Sequence, residues 1–434
     1  MLRQLLSVAL IIAVGPMLFG CSLLNADLLK EDQLRLLTLQ ELMPYIMRLK
    51  PQAKEALELI RATEVHKISI GAGVGVAVLD DFDDEGPNSH GLKVSAVIKA
   101  VAPGAAIYKY DLDFSRDLYS FWKDVYDHMG EIIKYKDSFG IKVVNMSFGM
   151  RFGPRGFGVP CTLSELSGLL PPWYPPDRNW VNMINWTKQR IEQAIDKGIT
   201  VVVAAGNSDE IEEFIEWQRE KVFGSGQAPE LPFPACMQQV ITVGAVYDSA
   251  NIPEGHDADC PFERAEPQPD KPTCYSFLTE TVDLLAPGSF WEIGEWTGAR
   301  ALEGTSFAAP TVAGVAALLL AVKELSPKEL RKILSWKGKY IPVTVLAHNW
   351  MPTTIQITRV DAWAALCEIS PESCSPAPQP TERLAVQYDK NQNGKIDDDE
   401  MLVAIDDWIK KKLTDDQILQ LLSCFITSRD VKAC

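Results

Sequence analysis

Three short apolar runs each break off into polar residues. Val74–Leu79 ends in Asp80-Asp81, Ile141–Val144 leads into Asn145-Met146-Ser147-Phe148-Gly149, and Ile199–Ala205 leads into Gly206-Asn207-Ser208. A continuous apolar run such as the first reads as a strand covered on both faces of a parallel sheet. Between the first two, Val94, Val97, Ile98 and Val101 recur at helical spacing, which predicts a helix with His90 at its amino terminus. Further on, Gly304-Thr305-Ser306 opens an apolar helix through Val322, and Ala308, Ala309, Ala313, Ala316 and Ala317 let that helix pack closely. The pattern is that of an α/β fold with a central parallel sheet, whose ligand and catalytic groups collect at the carboxyl ends of the strands.

That placement gives the polar residues a chemical reading. Gly304 allows a tight turn, and Ser306 sits among the unpaired N–H groups of a helix start. A serine hydroxyl becomes a nucleophile only with a base, a group to orient the base, and donors for the oxyanion. The chain has five histidines, and of these His90 alone sits at an element boundary of this kind. Asp80, at the end of the preceding strand, is placed to accept from it, with Asp81 as a rival. Nine residues separate Asp80 from His90, so Asp83-Asp84-Glu85-Gly86-Pro87 forms a tight acidic loop. Asn207 carries an amide that can donate to an oxyanion.

The resulting chain order, Asp, His, Asn, Ser, is that of the subtilisin triad. Together with Val101-Ala102-Pro103-Gly104-Ala105, Pro234-Ala235, Val240-Ile241-Thr242-Val243-Gly244-Ala245 and Ala286-Pro287-Gly288, these segments resemble the subtilisin-like serine proteases from residue 74 to 320. The resemblance implies a three-layer subtilisin-like fold. It implies Ser306 as nucleophile, His90 as general base and acid, Asp80 as orienter, and Asn207 with the Ser306 N–H as oxyanion hole. It further implies that Ser147, Phe148 and Gly149 pair with an extended polypeptide substrate, and that Ala204, Ala205 and Gly206 line the pocket for the side chain before the scissile bond.

The amino terminus has Arg3, an apolar stretch from Leu5 to Phe19, and Leu18-Phe19-Gly20-Cys21. It reads as a bacterial secretory signal over 1–20 and resembles a lipoprotein signal, with Cys21 as the lipid-bearing residue of the mature chain. No later run of eighteen apolar residues occurs, so the lipid is the expected membrane attachment, and Ser22 after the cysteine points to the outer membrane. The other eight cysteines suit an oxidising compartment. Short spacings suggest Cys260 with Cys274, Cys367 with Cys374 and Cys424 with Cys434, leaving Cys161 with Cys236. Residues 21–65 carry apolar positions at near-helical spacing and are expected to be a reduced pro-region, a permanent helical layer or a tether.

The catalytic region is expected over 66–369, followed by a Pro-rich linker over 370–382 and a last segment over 383–434. There Asp389, Asn391, Asn393, Asp397 and Glu400 place oxygen side chains at positions one, three, five, nine and twelve, Gly394 stands at six, and Lys395 offers its carbonyl. This is the EF-hand calcium-loop pattern. The helices after it carry Met401, Leu402, Ile405, Trp408 and Ile409, then Ile418, Leu421, Leu422 and Phe425. The tail resembles a lone EF-hand or half a dockerin-type module, with calcium as cofactor and a protein partner as a further possibility.

Net charge changes the picture least. At −16 it argues against a nucleic-acid partner and suits an exported, calcium-tolerant protein. Insertions over Arg151–Trp180 and Glu210–Leu231 are expected to rim the cleft. The expectation is a lipid-anchored serine endopeptidase; the alternative from another class is an inactive surface lipoprotein of the same fold that acts as a calcium-dependent binding protein.

Overall fold

Apolar runs that must be covered on both faces need two cores, and the sheet has them. The structure is a computed structural model that describes residues 35–82, 89–149, 161, 179–207, 231–249, 268–294, 298–346, 351–374, 384–410, 412–413, 415–427 and 430–431. Its strands are β1 (Arg35–Leu37), β2 (Gly75–Asp80), β3 (Ala106–Asp111), β4 (Ile141–Met146), β5 (Thr200–Ala204), β6 (Ile241–Val246) and β7 (Leu284–Pro287). They continue with β8 (Ser289–Gly294), β9 (Gly298–Glu303), β10 (Gly338–Leu346) and β11 (Pro352–Val360). The main sheet runs in the order β1-β3-β2-β4-β5-β6-β7-β11-β10, parallel from β3 to β11 with an antiparallel strand at each edge. Hairpin β8–β9 stands apart from it.

Alternate residues of β2 supply opposite cores, Val76 and Val78 to one and Ala77 and Leu79 to the other. The helices are α1 (Leu39–Leu59), α2 (Ala62–Val65), α3 (His90–Val101), α4 (Leu118–Phe139), α5 (Asn179–Asp196) and α6 (Thr305–Val322). After them come α7 (Pro327–Trp336), α8 (Ala362–Ile369), α9 (Leu384–Tyr388), α10 (Asp398–Ile409) and α11 (Asp415–Thr427). Helices α1, α3 and α6 cover one face of the sheet, and α4 and α5 the other. Helix α6 is long and apolar enough to cross a membrane, but 83% of it is buried against the sheet and its neighbours. It is a core helix.

Helix α6 lies directly on α3. A Cβ at Gly314 would stand 2.6 Å from Val101 Cβ and 3.3 Å from the Ile98 carbonyl, so the two helices touch where only a hydrogen fits. This contact fixes the helix that starts at His90 relative to the one that starts at Ser306.

The described part of residues 21–65 packs as a layer on the core. Leu42, Ile46, Leu49, Ala53, Leu57 and Ile60 line one side of α1 and are all buried in the core shared with α3 and α6. Thr38 and Glu41 close the helix start as a capping box. β1 pairs with β3, and Arg61 forms a forked ion pair with Asp361, the N-cap of α8.

The tail is likewise no separate bead. Ile396, Met401, Leu421, Leu422 and Phe425 belong to that same core, and α11 packs on α1. The His66 ring joins the parts, with Nε2 at 2.8 Å from the Val101 carbonyl and Nδ1 at 2.7 Å from Ser423 Oγ. Cys161–Cys236 and Cys367–Cys374 are bonded as expected, and Cys274 and Cys424 are also in disulfides. Cys260, Cys434, Cys21, the loop over 83–88 and most of both insertions lie outside the described residues.

Gly314→Ala is expected to lower stability by about 1–3 kcal/mol, the usual cost of forcing extra volume into a packed core. Denaturant unfolding measures it; an unchanged midpoint would show that the α3–α6 contact is not as tight as drawn.

Candidate active site

Each chemical residue stands at the end of a regular element, which is why its position is well determined. Asp80 closes β2 and is 1% exposed. Ser89 caps α3 by accepting the Leu92 N–H, so His90 begins the helix at the carboxyl edge of the sheet. Ser306 is the second residue of α6, reached through Gly304, whose φ of 138° suits glycine alone.

His90 Nδ1 lies 2.6 Å from Asp80 Oδ1, which also accepts the Asp81 N–H at 2.8 Å. It is therefore Asp80, and not Asp81, that accepts the hydrogen bond of the imidazole. Burial by itself disfavours the charged ring, but the Asp80 charge and hydrogen bond outweigh it and raise the His90 pKa above its ordinary value of 6.5. Because an ionised carboxylate only accepts, Nδ1 carries the hydrogen and Nε2 keeps its lone pair. The other face of the ring meets Phe307, with centroids 5.6 Å apart.

Ser306 Oγ donates to the Ser147 carbonyl at 3.0 Å, and Ser147 Oγ returns a bond to the Ser306 carbonyl at 2.7 Å. The end of β4 is thereby clasped to the start of α6. Ser147, expected to pair with substrate backbone, here holds the serine, because its strand ends directly under the helix start. Asn145, on the same face of β4, donates to Ser147 Oγ at 2.9 Å. An amide in a strand whose buried positions are otherwise apolar was the sequence signal for this role.

Asn207 is oriented by a residue that the sequence reading left unassigned. Its Oδ1 accepts from the Thr305 N–H at 3.0 Å and the Thr305 hydroxyl at 3.2 Å, while Thr305 Oγ1 accepts the Gly206 N–H at 3.1 Å. A backbone N–H can face only the oxygen of the amide, so Nδ2 is left on the opposite side, next to Gly304. The Gly-Thr-Ser turn thus supplies both the serine and the group that turns the asparagine.

The cleft at this edge encloses about 390 Å³ and brings together Asp80, Asp81, His90, Ser147, Phe148, Gly149 and Ser306. Its remaining walls, Phe114, Arg116 and Phe121, come from the approach to α4 and its first turn. Phe114, Phe121 and Phe148 meet edge to face or tilted at 5.1–5.8 Å, and Phe114 leaves 45% of its surface exposed. Ala204 and Ala205 are buried, with the Ala205 N–H bonded to the Val243 carbonyl inside the sheet, and neither they nor Gly206 line this cleft.

The calcium-loop pattern lies away from the cleft. Gly394, at φ 83°, makes the sharp turn. Asp389 accepts the Asn393 and Gly394 N–H groups, and Glu400 accepts those of Asn391 and Asp397. Both end carboxylates are therefore drawn in over the loop, a donor set of hard oxygens that suits calcium. Among the described residues no three His, Cys, Asp or Glu side chains converge by themselves on one point, and the set depends on Asn391, Asn393 and the Lys395 carbonyl to complete it.

The chain matches the Subtilase family, Peptidase S8, over residues 72–348. Subtilisin DY of Bacillus licheniformis is 26% identical over 279 residues, 62% of this chain and 76% of its own length. Serine protease AprX of Bacillus subtilis is 29% identical over 180 residues, 37% of this chain and 37% of its own. Among solved structures, a lanthipeptide protease aligns over 73% of this chain and 95% of its own with a TM-score of 0.48 and 18% identity. With the family match spanning more than half of the sequence, and its limits enclosing Asp80, His90, Asn207 and Ser306, the chain belongs to the subtilase family and is a subtilisin-like serine endopeptidase.

Proposed function

We propose that this chain cleaves polypeptides through Asp80, His90 and Ser306, and that the 2.6 Å bond between His90 and Asp80 beside Ser306 is the observation that carries the reading. In the resting arrangement Ser306 Oγ is bonded to Ser147; a rotation about its side-chain bond turns the hydroxyl toward His90 Nε2. His90 then takes the proton as Oγ attacks the carbonyl, and Asp80 stabilises the imidazolium. The developing oxyanion is held by Asn207 Nδ2 and the Ser306 N–H, the first worth about 10²–10³ in rate. The departing Ser306 hydroxyl frees the Ser147 carbonyl to accept a substrate N–H. His90 protonates the leaving amine, and water, activated by the same ring, hydrolyses the acyl-enzyme. The exposed Phe114 face, backed by Phe121 and Phe148, favours a substrate with a large apolar side chain in the cleft.

We further propose that the enzyme is lipid-anchored in the bacterial envelope, with outer-membrane placement resting on Cys21 and Ser22, and that calcium in the Asp389–Glu400 loop stabilises it. Asp389, Asn391, Asn393, Asp397, Glu400 and the Lys395 carbonyl would hold the ion. Because α11 belongs to the core shared with α1 and α3, ordering that loop stabilises the whole chain and not the tail alone.

A fluorophosphonate probe is expected to label the wild type and not Ser306→Ala; equal labelling would leave the inactive binding protein as the reading. A base works only when neutral, so labelling should fall with acid through a midpoint above 6.5. Asp80→Asn should cut kcat/KM by about 10⁴-fold, as loss of the orienting carboxylate does in such triads, and shift that midpoint down. Calcium at a hundredfold excess over Kd adds about 2.7 kcal/mol by mass action. The wild-type Tm should rise accordingly and that of Glu400→Gln should not; a wild-type Tm indifferent to calcium removes the metal from the account. Finally, Cys21→Ser should move the protein from the membrane fraction to the soluble one, and retention there would rule out the lipid.

A further inference from the structure

A second groove opens beside the cleft, on the far side of the segment that walls it. It encloses about 540 Å³ and is lined by Asp117, Tyr119 and Ser120 at the start of α4 and by Asn179, Asn182 and Trp186 along one face of α5. Residues 179, 182 and 186 are spaced three and four apart, so they form one helical stripe. Both helices begin at the carboxyl edge of the sheet, the edge that carries His90 and Ser306. The stretch 114–121 serves both cavities: Phe114, Arg116 and Phe121 face the cleft, and Asp117, Tyr119 and Ser120 face the groove.

The lining has a definite chemistry. Trp186 is 48% exposed and Tyr119 38%, and neither ring stacks on another among the described residues. Asp117 is held in place as the N-cap of α4, accepting the Ser120 N–H at 3.2 Å and the Ser120 hydroxyl at 2.7 Å. Those two bonds hold its carboxyl below the usual range, so it stays ionised, and a carboxylate has lone pairs to spare for a further donor. No lining residue is cationic. Arg116 and Lys123, which flank the groove, are already paired with Asp124 and Asp127. Two open aromatic faces around a fixed carboxylate suit a lysine or arginine side chain, through cation–π attraction and a charge-assisted hydrogen bond. Asn182 adds a donor and an acceptor for backbone.

We propose that this groove is a second site for the polypeptide substrate, taking a basic segment some residues away from the scissile bond. The proposal rests on the serine endopeptidase reading, and continuity is what selects the occupant: a chain leaving the cleft over the 114–121 ridge enters the groove next. Substrate held at both places pays less entropy for the second contact, so the groove selects polypeptides that carry positive charge beyond the cleaved bond.

The test uses the full chain carrying Ser306→Ala and a fluorescein-labelled peptide that alternates lysine with alanine, with its glutamate counterpart as control. Anisotropy is expected to give at least about tenfold tighter binding of the lysine peptide, and Trp186→Ala or Asp117→Asn should each weaken it by about threefold to tenfold. Asparagine is as good an N-cap as aspartate, so the second variant keeps α4 intact. In the active chain both variants should leave fluorophosphonate labelling unchanged and lower kcat/KM on unfolded casein, but not on casein whose lysines are succinylated. Equal binding of the two peptides, or binding untouched by both substitutions, overturns the proposal. Absence of labelling in the wild type would instead defeat the peptidase reading, and the peptide-binding result, taken on Ser306→Ala, tells the two failures apart.

Discussion

The contact of α6 with α3 at Gly314 is the constraint on which the rest of the arrangement depends. Ser306 and His90 come from positions more than two hundred residues apart in the chain, and each is the opening residue of a helix or next to it. Neither helix can slide without driving Gly314 into Val101 and Ile98. Close-packed interiors transmit such misfits and do not absorb them. The distance across the active site is thus set about two turns into α6, in the core, and not by the exposed loops around the cleft.

Within that frame, two hydrogen-bond networks do the finer positioning. Asp80, buried at the end of a central strand, fixes the tautomer of His90 because an ionised carboxylate can only accept. Thr305 fixes the amide of Asn207 by the converse argument, since a backbone N–H can only donate. The reciprocal bonds of Ser147 and Ser306 hold the Ser306 hydroxyl on the Ser147 carbonyl. Polar groups are concentrated at this edge, and two buried acceptors there, Asp80 Oδ2 and Asn145 Oδ1, have no hydrogen-bond partner among the described residues. That arrangement costs stability in water-poor surroundings and is kept in place by the core beneath it.

The segments before and after the peptidase core extend this core instead of hanging from it. α1 lies over α3 and the β8–β9 hairpin that leads to Ser306, and α11 lies over α1. His66 joins the end of α3, the helix that starts at His90, to α11 through both ring nitrogens. A small module buries too little surface to be stable alone, and sharing one apolar core with a larger domain removes that difficulty.

By itself the sequence determined the parallel sheet, the elements that carry Asp80, His90, Asn207 and Ser306, and the oxygen pattern at Asp389–Glu400, because strand runs, helical spacing and loop ligands are local patterns with fixed periods. Tertiary structure alone decided that Asp80 and not its neighbour Asp81 orients His90, since adjacent strand residues point to opposite faces and only the packed sheet says which faces the helix. It alone showed Thr305 turning Asn207, Asn145 bracing Ser147, and α1 buried as a layer, since each role depends on a partner far away in the chain. The aromatic wall of the cleft was illegible for the same reason: Phe114, Phe121 and Phe148 sit in two separate segments, and an apolar residue announces burial in a sequence but not the neighbour it meets.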